Sequence, residues 1–141
     1  MANKSSFRLT EIYLLESNFK RAINVNFEDP SFKNNADITV DHQVLENQTL
    51  HITVTLDYSA GKKRVKEISA KIKMMGIFKC DSEPVIPIEQ FAKANGPAIM
   101  FPFLREHLAT TTLKAGISPI LLPAVNFIRL SEELKAKKRI Q

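Results

Sequence analysis

NGPAIMFPFLREHLATTTLKAGISPILLPAVNFIRL, residues 95–130, holds a helix followed by an apolar stretch that cannot be helical. Pro97 suits the first position of a helix, and Pro102 is tolerable only within about a turn of the start, so the two prolines together predict that the helix begins there. Phe101, Leu104, Leu108, Thr111 or Thr112, and Ala115 follow three-four spacing, Arg105, Glu106 and Lys114 lie off that stripe, and Gly116 fits a left-handed stop. Beyond it, Pro119 and Pro123 each push the preceding residue out of the α region, so residues 117–125 must run extended. A connection normally crosses the surface and is polar; an apolar one is either a core crossover or part of a binding surface. Ile120, Leu121 and Leu122 are consecutive, and three consecutive side chains on an extended chain cannot all face one core, so at least one is available to a partner.

Upstream of this stretch the chain reads as strands. From Gln48 to Tyr58, Leu50, Ile52, Val54, Leu56 and Tyr58 alternate with Thr49, His51, Thr53, Thr55 and Asp57, which predicts one buried and one wet face. After the turn signal Ser59-Ala60-Gly61-Lys62-Lys63, a second strand from about Arg64 carries Ile68, Ala70, Ile72 and Met74 opposite Glu67, Ser69, Lys71 and Lys73, closing an antiparallel hairpin. Phe19, Ile23, Val25 and Phe27 alternate with polar or small residues and predict a further strand ending at Glu28-Asp29-Pro30; a fourth is expected over Asp37–Leu45. A short helix is expected over Ile88–Ala94, and a last one from about Asn126 with Phe127, Leu130 and Leu134 on one side. Strands first and helices after give an α+β fold: an antiparallel sheet with helices packed on one face.

Composition bounds the possibilities. The chain has 141 residues, 44% of them hydrophobic, enough for one domain with a core over residues 1–141, mainly strands to about residue 80 and helices with the apolar crossover loop after it. No apolar run approaches the ~18 residues of a membrane span. The first residues, MANKSSFRLTEIYLLESNFK, lack the apolar core of a secretory signal, so a cytoplasmic location is expected. The net charge of +5 concentrates at Lys62 to Lys73 and at Lys135 to Arg139. Such clusters are either nucleic-acid footprints or a solvated turn and a helix end whose cations complement the dipole; the second reading needs no partner.

Residues able to do chemistry are scattered. His42, His51 and His107 have no i, i+4 partner, Cys80 is the single cysteine, and the four glycines stand apart, so neither a metal site nor a phosphate cradle is expected. Glu132 and Glu133 are adjacent and face different azimuths, unlike an acid/base pair. No catalytic constellation emerges and no cofactor is implied; the chain reads as a binding protein, not an enzyme.

The elements GPAIMFPFLREHL and AGISPILLPAVNF, with Gly76-Ile77-Phe78 before them, resemble the SecB family of export chaperones, including SecB-like proteins that serve toxin-antitoxin systems. The resemblance is clearest from Met75 to Leu130. It implies a four-stranded antiparallel sheet backed by helices, assembly as a homotetrameric dimer of dimers, and a holdase that keeps unfolded clients, preproteins or an antitoxin, in apolar grooves until export or hand-over. Carried over position by position, the client-binding residues are Ile77 and Phe78, Phe101 and Phe103, and Ile120, Leu121, Leu122, Val125 and Phe127, with Phe19, Phe27 and Phe32 as further aromatics; Phe101, Leu104 and Phe127 also have core spacing.

Departures from the family pattern matter as much. The resemblance implies docking on the translocase motor SecA through acidic residues on the outer sheet face, yet Lys66, Lys71 and Lys73 stand on the corresponding strands and the tail carries Lys137, Lys138 and Arg139. Phe103-Leu104 and Ile117-Ser118 also differ from the residues usual there. These changes argue against SecA and suit a chaperone dedicated to one client, whose acidic partner the basic face could dock. The alternative is a charge-driven binder of nucleic acid or of an acidic surface, with steep salt dependence.

Overall fold

The computed structural model describes residues 4–46, 48–118, 120, 122, 125–130 and 132. Four long strands, β2 (Arg8–Arg21), β3 (Lys33–Leu45), β4 (Thr49–Gly61) and β5 (Ile68–Lys79), form one antiparallel sheet in the order β2-β5-β4-β3. A two-residue parallel bridge joins β1 (Lys4–Ser5) to β6 (Glu83–Pro84). The α+β expectation is met.

The central hairpin forms as the alternation demands. Tyr58 pairs with Ala70 and Leu50 with Phe78, so Leu50, Ile52, Val54, Leu56, Tyr58 and Ala60 share one face with Ile68, Ala70, Ile72, Met74 and Phe78. All of them are buried, and each large aliphatic side chain so placed contributes about 1.5–3 kcal/mol. The turn lies later than expected: β4 runs on through Gly61 and β5 starts only at Ile68 instead of about Arg64, leaving residues 62–67 as the connection.

The first long strand lies elsewhere than expected, at Arg8–Arg21 instead of Phe19–Phe27. Its register on β5 slips between Leu9 and Glu11 and between Leu14 and Glu16. Each slip adds a residue and inverts the alternation, which hides the strand from a period-two reading. At the first slip the hydroxyl of Thr10 donates to the carbonyl of Ile77 at 3.0 Å. After Arg21 the chain leaves the sheet; Ala22 N–H still reaches the Glu67 carbonyl at 2.7 Å, and residues 23–32 form a loop turned by Asp29. The Asp29 carboxylate accepts the backbone N–H and the hydroxyl of Ser31, which hold it below the usual aspartate range.

The helix also begins earlier than the prolines suggested. α1 (Ile88–Gln90) passes through a π-helical turn, Phe91–Asn95, directly into α2 (Gly96–Lys114), with Pro97 in the first turn of α2 and Pro102 inside it. The wider turn, closed by Gly96 N–H on the Phe91 carbonyl, absorbs the irregularity that a proline ring imposes on the preceding turn. The helix lies on the apolar face, as expected. A Cβ on Gly96 would stand 2.2 Å from Ile52 Cδ1, and one on Gly76 would stand 3.0 Å from Met100 Sδ, so both glycines mark where helix and sheet touch. Its two ends reach the two sheet edges. His42 Nε2 on β3 donates to Glu89 Oε2 at 3.1 Å, and Ser17 Oγ on β2 lies 2.8 Å from His107 Nε2. These histidines are half-buried and engaged. Cys80 is buried, with its thiol donating to the Ser82 carbonyl at 3.1 Å.

Candidate functional site

The apolar loop is held at its start by the end of α2. Gly116 adopts a left-handed φ of 77°. Its N–H bonds the Leu113 carbonyl at 3.1 Å and that of Ile117 bonds the Thr112 carbonyl at 3.2 Å, a Schellman closure that turns the chain back over the last helical turn. Two side chains reinforce it. Arg21 Nη1 donates to the Ala115 carbonyl at 2.7 Å, and the buried hydroxyl of Thr112 accepts the N–H of Ile120 at 3.0 Å.

That start decides which way the loop side chains face. Ile117 and Leu122 are buried, whereas Ile120 is half-buried beside them. Beyond the loop, Val125 is half-buried and Phe127 is buried, its ring meeting that of Phe101 edge-on at 5.7 Å. The Asn126 side chain accepts the Arg129 N–H at 3.1 Å and caps the turn at residues 127–130, where the last helix was expected to start. Leu121 lies outside the described residues.

The remaining expected client-binding residues are not gathered on this surface. Phe78 is buried under the helix, edge-on to Phe91 at 5.3 Å, and Phe101 is in the core. Phe103 is 44% exposed on the outer side of α2. Ile77 lies on the opposite sheet face from Phe78, paired with His51 and Glu11.

Two clefts flank the loop. The first, of about 500 Å³, runs between Gly116–Ser118 and the segment from Arg21 to Phe27, with Lys62 at its rim. Ile23 is almost fully exposed there, and Phe27, half-exposed, packs on Phe32 at 5.2 Å. The second, of about 480 Å³, opens between Pro87–Ala94 and the 127–132 turn, with Ile128 and Glu132 opposite Glu89 and Lys93. Ile23, Val25, Arg21 and Thr112 were not legible as site residues, the first two because they read as strand. The first cleft mixes Ile23, Val25, Phe27 and Ile117 with Arg21, Asn24, Asn26 and Lys62, and the second is the more apolar of the two.

The sheet's outer face is not the basic surface that Lys66, Lys71 and Lys73 suggested. Lys73 pairs with Glu16 on one side, and Lys71 lies between Asn18 and Asp57, which itself pairs with Asp37. Lys66 stands exposed in the 62–67 connection, where Lys62 Nζ lies 3.8 Å from the Glu67 carboxylate. Interleaved signs cannot sustain the one-sided potential that drives nucleic-acid binding.

One sheet edge is apolar. Tyr13, Leu14 and Leu15 on β2 are 45%, 48% and 51% exposed, with Tyr13 donating to Glu11, a contact that raises the phenol's pKa. A long edge strand with exposed apolar side chains offers unpaired backbone groups to another strand. Among the described residues no helix is long and apolar enough to cross a membrane.

Comparison with known proteins agrees with this architecture. The family model for preprotein translocase subunit SecB matches residues 1–138. Protein-export protein SecB of Paraburkholderia phymatum is 28% identical over 139 residues, covering 96% of this chain and 88% of that one. That of Halorhodospira halophila is 25% identical over 137 residues, covering 96% and 79%. Among solved structures, a SecB-like chaperone of Mycobacterium tuberculosis, in complex with a ChAD peptide from the HigA1 antitoxin, matches with a TM-score of 0.70 at 11% identity, over 85% of this chain and 91% of that one.

Proposed function

The chain belongs to the SecB family, matched over residues 1–138, and on that premise we propose that this molecular chaperone holds nonnative polypeptides on the surface around residues 117–128. One observation carries the location. Ile117, Leu122 and Phe127 anchor the segment in the core while Ile120 and Val125 pack on it only partly buried, and the two ends of the segment, Ile117 and Ile128, each line a cleft. Area burial is non-directional at roughly 25 cal/mol per Å², and several weak apolar subsites joined along one chain add without reading a sequence. Ile128 extends the surface into the second cleft, and Phe101 supports it from beneath through Phe127.

Clients are polypeptides that have not folded. The Mycobacterium tuberculosis relative, held with an antitoxin peptide, supports a dedicated client of this kind, and the export relatives support preproteins. The mixed charge of the outer sheet face supports a chaperone that works without docking on SecA. The reading is of one cytoplasmic binding domain without catalysis, assembled as a homo-oligomer through the apolar β2 edge. Its test is suppression of aggregation when a chemically denatured protein is diluted into buffer: stoichiometric chaperone should delay both aggregation and refolding without nucleotide. Aggregation that proceeds unchanged would overturn the proposal.

A further inference from the structure

Of the two side chains that fasten the loop, Thr112 alone bonds a residue within it. Thr112 is fully buried in the last turn of α2 and engages the loop with both of its oxygens. Its carbonyl accepts the N–H of Ile117 at 3.2 Å, and its Oγ1 accepts the N–H of Ile120 at 3.0 Å. The hydroxyl proton is directed back into the helix, with the Leu108 and Ala109 carbonyls both at 3.0 Å. The hydroxyl is therefore a relay: it donates inward and accepts outward, giving the N–H of Ile120 a fixed partner on the helix.

This contact pins the backbone of the loop. With Ile117 locked into the Schellman closure and the Ile120 backbone pinned three residues on, the start of the loop is held at two points, with Ile117 and Leu122 buried and Ile120 packed against the core only partly buried. We infer that Thr112 is the positioning residue of the client surface, acting through Ile120 and touching no client itself; the inference rests on the client-binding reading above.

Thr112→Val keeps the branched shape and removes both roles of the hydroxyl, whereas Thr112→Ser keeps the hydroxyl and removes only the methyl group. Two measurements are made on the full chain. The first is the affinity for reduced, carboxymethylated lactalbumin carrying fluorescein; the second is hydrogen exchange at the Ile120 amide, with the Val54 amide in β4 as reference. Thr112→Val should weaken binding by about fivefold or more, the size of one lost hydrogen bond, and accelerate exchange at Ile120 while Val54 keeps its protection. Thr112→Ser should restore both. If Thr112→Val binds as the wild type does, or if Thr112→Ser loses as much as Thr112→Val, the positioning role is overturned while the client reading stands. A wild-type chain that does not bind the probe overturns the client reading and this inference with it.

Discussion

The guanidinium of Arg21 ties the end of the first long strand to the end of the long helix, its Nη1 2.7 Å from the carbonyl of Ala115. Its Nε reaches the Ala22 carbonyl at 2.8 Å and its Nη2 the Ile23 carbonyl at 2.9 Å. One planar cation thus satisfies an orphan carbonyl at the helix C-terminus, where positive charge also complements the dipole, and two carbonyls of the chain as it leaves the sheet. The same residue forms a wall of the cleft beside Gly116–Ser118, so the clasp links the sheet edge to the loop.

Replacing Arg21 by alanine should cost about 1–2 kcal/mol, since hydrogen bonds from a charged donor are worth more than neutral ones but these acceptors are partly open to water. Arg21→Lys should recover little, because an ammonium cannot span three carbonyls as a planar fork does. Urea unfolding of the two variants checks this. Lysine restoring wild-type stability would show that charge alone, not the fork, matters.

Gly61 makes a sharper case. A Cβ there would lie 1.9 Å from the Val65 carbonyl oxygen and 2.8 Å from the Glu67 nitrogen, both backbone atoms that cannot swing aside. Gly61→Ala should therefore displace the 62–67 connection and destabilise the chain by about 2 kcal/mol or more, in the manner of overpacking. The urea midpoint should fall with little change in slope; an unchanged midpoint would refute the contact.

The apolar β2 edge predicts association. With Leu14 and Leu15 both changed to lysine, the charged edge should no longer accept a second strand. Light scattering should then report a smaller assembly than the wild type while the far-ultraviolet circular dichroism stays the same. Equal masses for the two proteins would place the oligomer interface elsewhere.

How much of this was legible beforehand depends on where regularity survives. Leu50 to Tyr58 and Ile68 to Met74 alternate without interruption because a helix covers one face of an unbroken two-strand ladder. The first long strand does not alternate, because two register slips carry Ile12, Tyr13, Leu14 and Leu15 through it as a continuous apolar run. Residues 19–27 do alternate, yet only the first three are strand, since Asn24, Asn26 and Asp29 draw the rest into a loop. The helical turns over Ile88–Ala94 were legible, but their continuity with α2 through a π turn was not, since no three-four spacing announces one. The stop at Gly116 was legible because a left-handed residue strongly favours glycine. Of the candidate site, the loop was recognisable from Pro119 and Pro123. Its fasteners were not: Arg21 and Thr112 bind backbone groups that only the folded chain brings near, and Arg21 is 94 residues from Ala115. Burial of Phe78, Phe101 and Leu122 could not be separated from exposure of Phe103 by residue type, because an apolar groove and a core draw on the same side chains.

The most direct test is the affinity of a permanently unfolded, fluorescent polypeptide, followed by anisotropy at low and at high salt, for the wild type and for an Ile120→Ser/Val125→Ser variant that spares the buried Leu122. The account predicts binding that tolerates salt and weakens on the order of tenfold in the variant, the equivalent of about 1.4 kcal/mol of apolar contact. Binding that disappears as salt is raised and ignores the two substitutions would contradict it, and would return the function to charge.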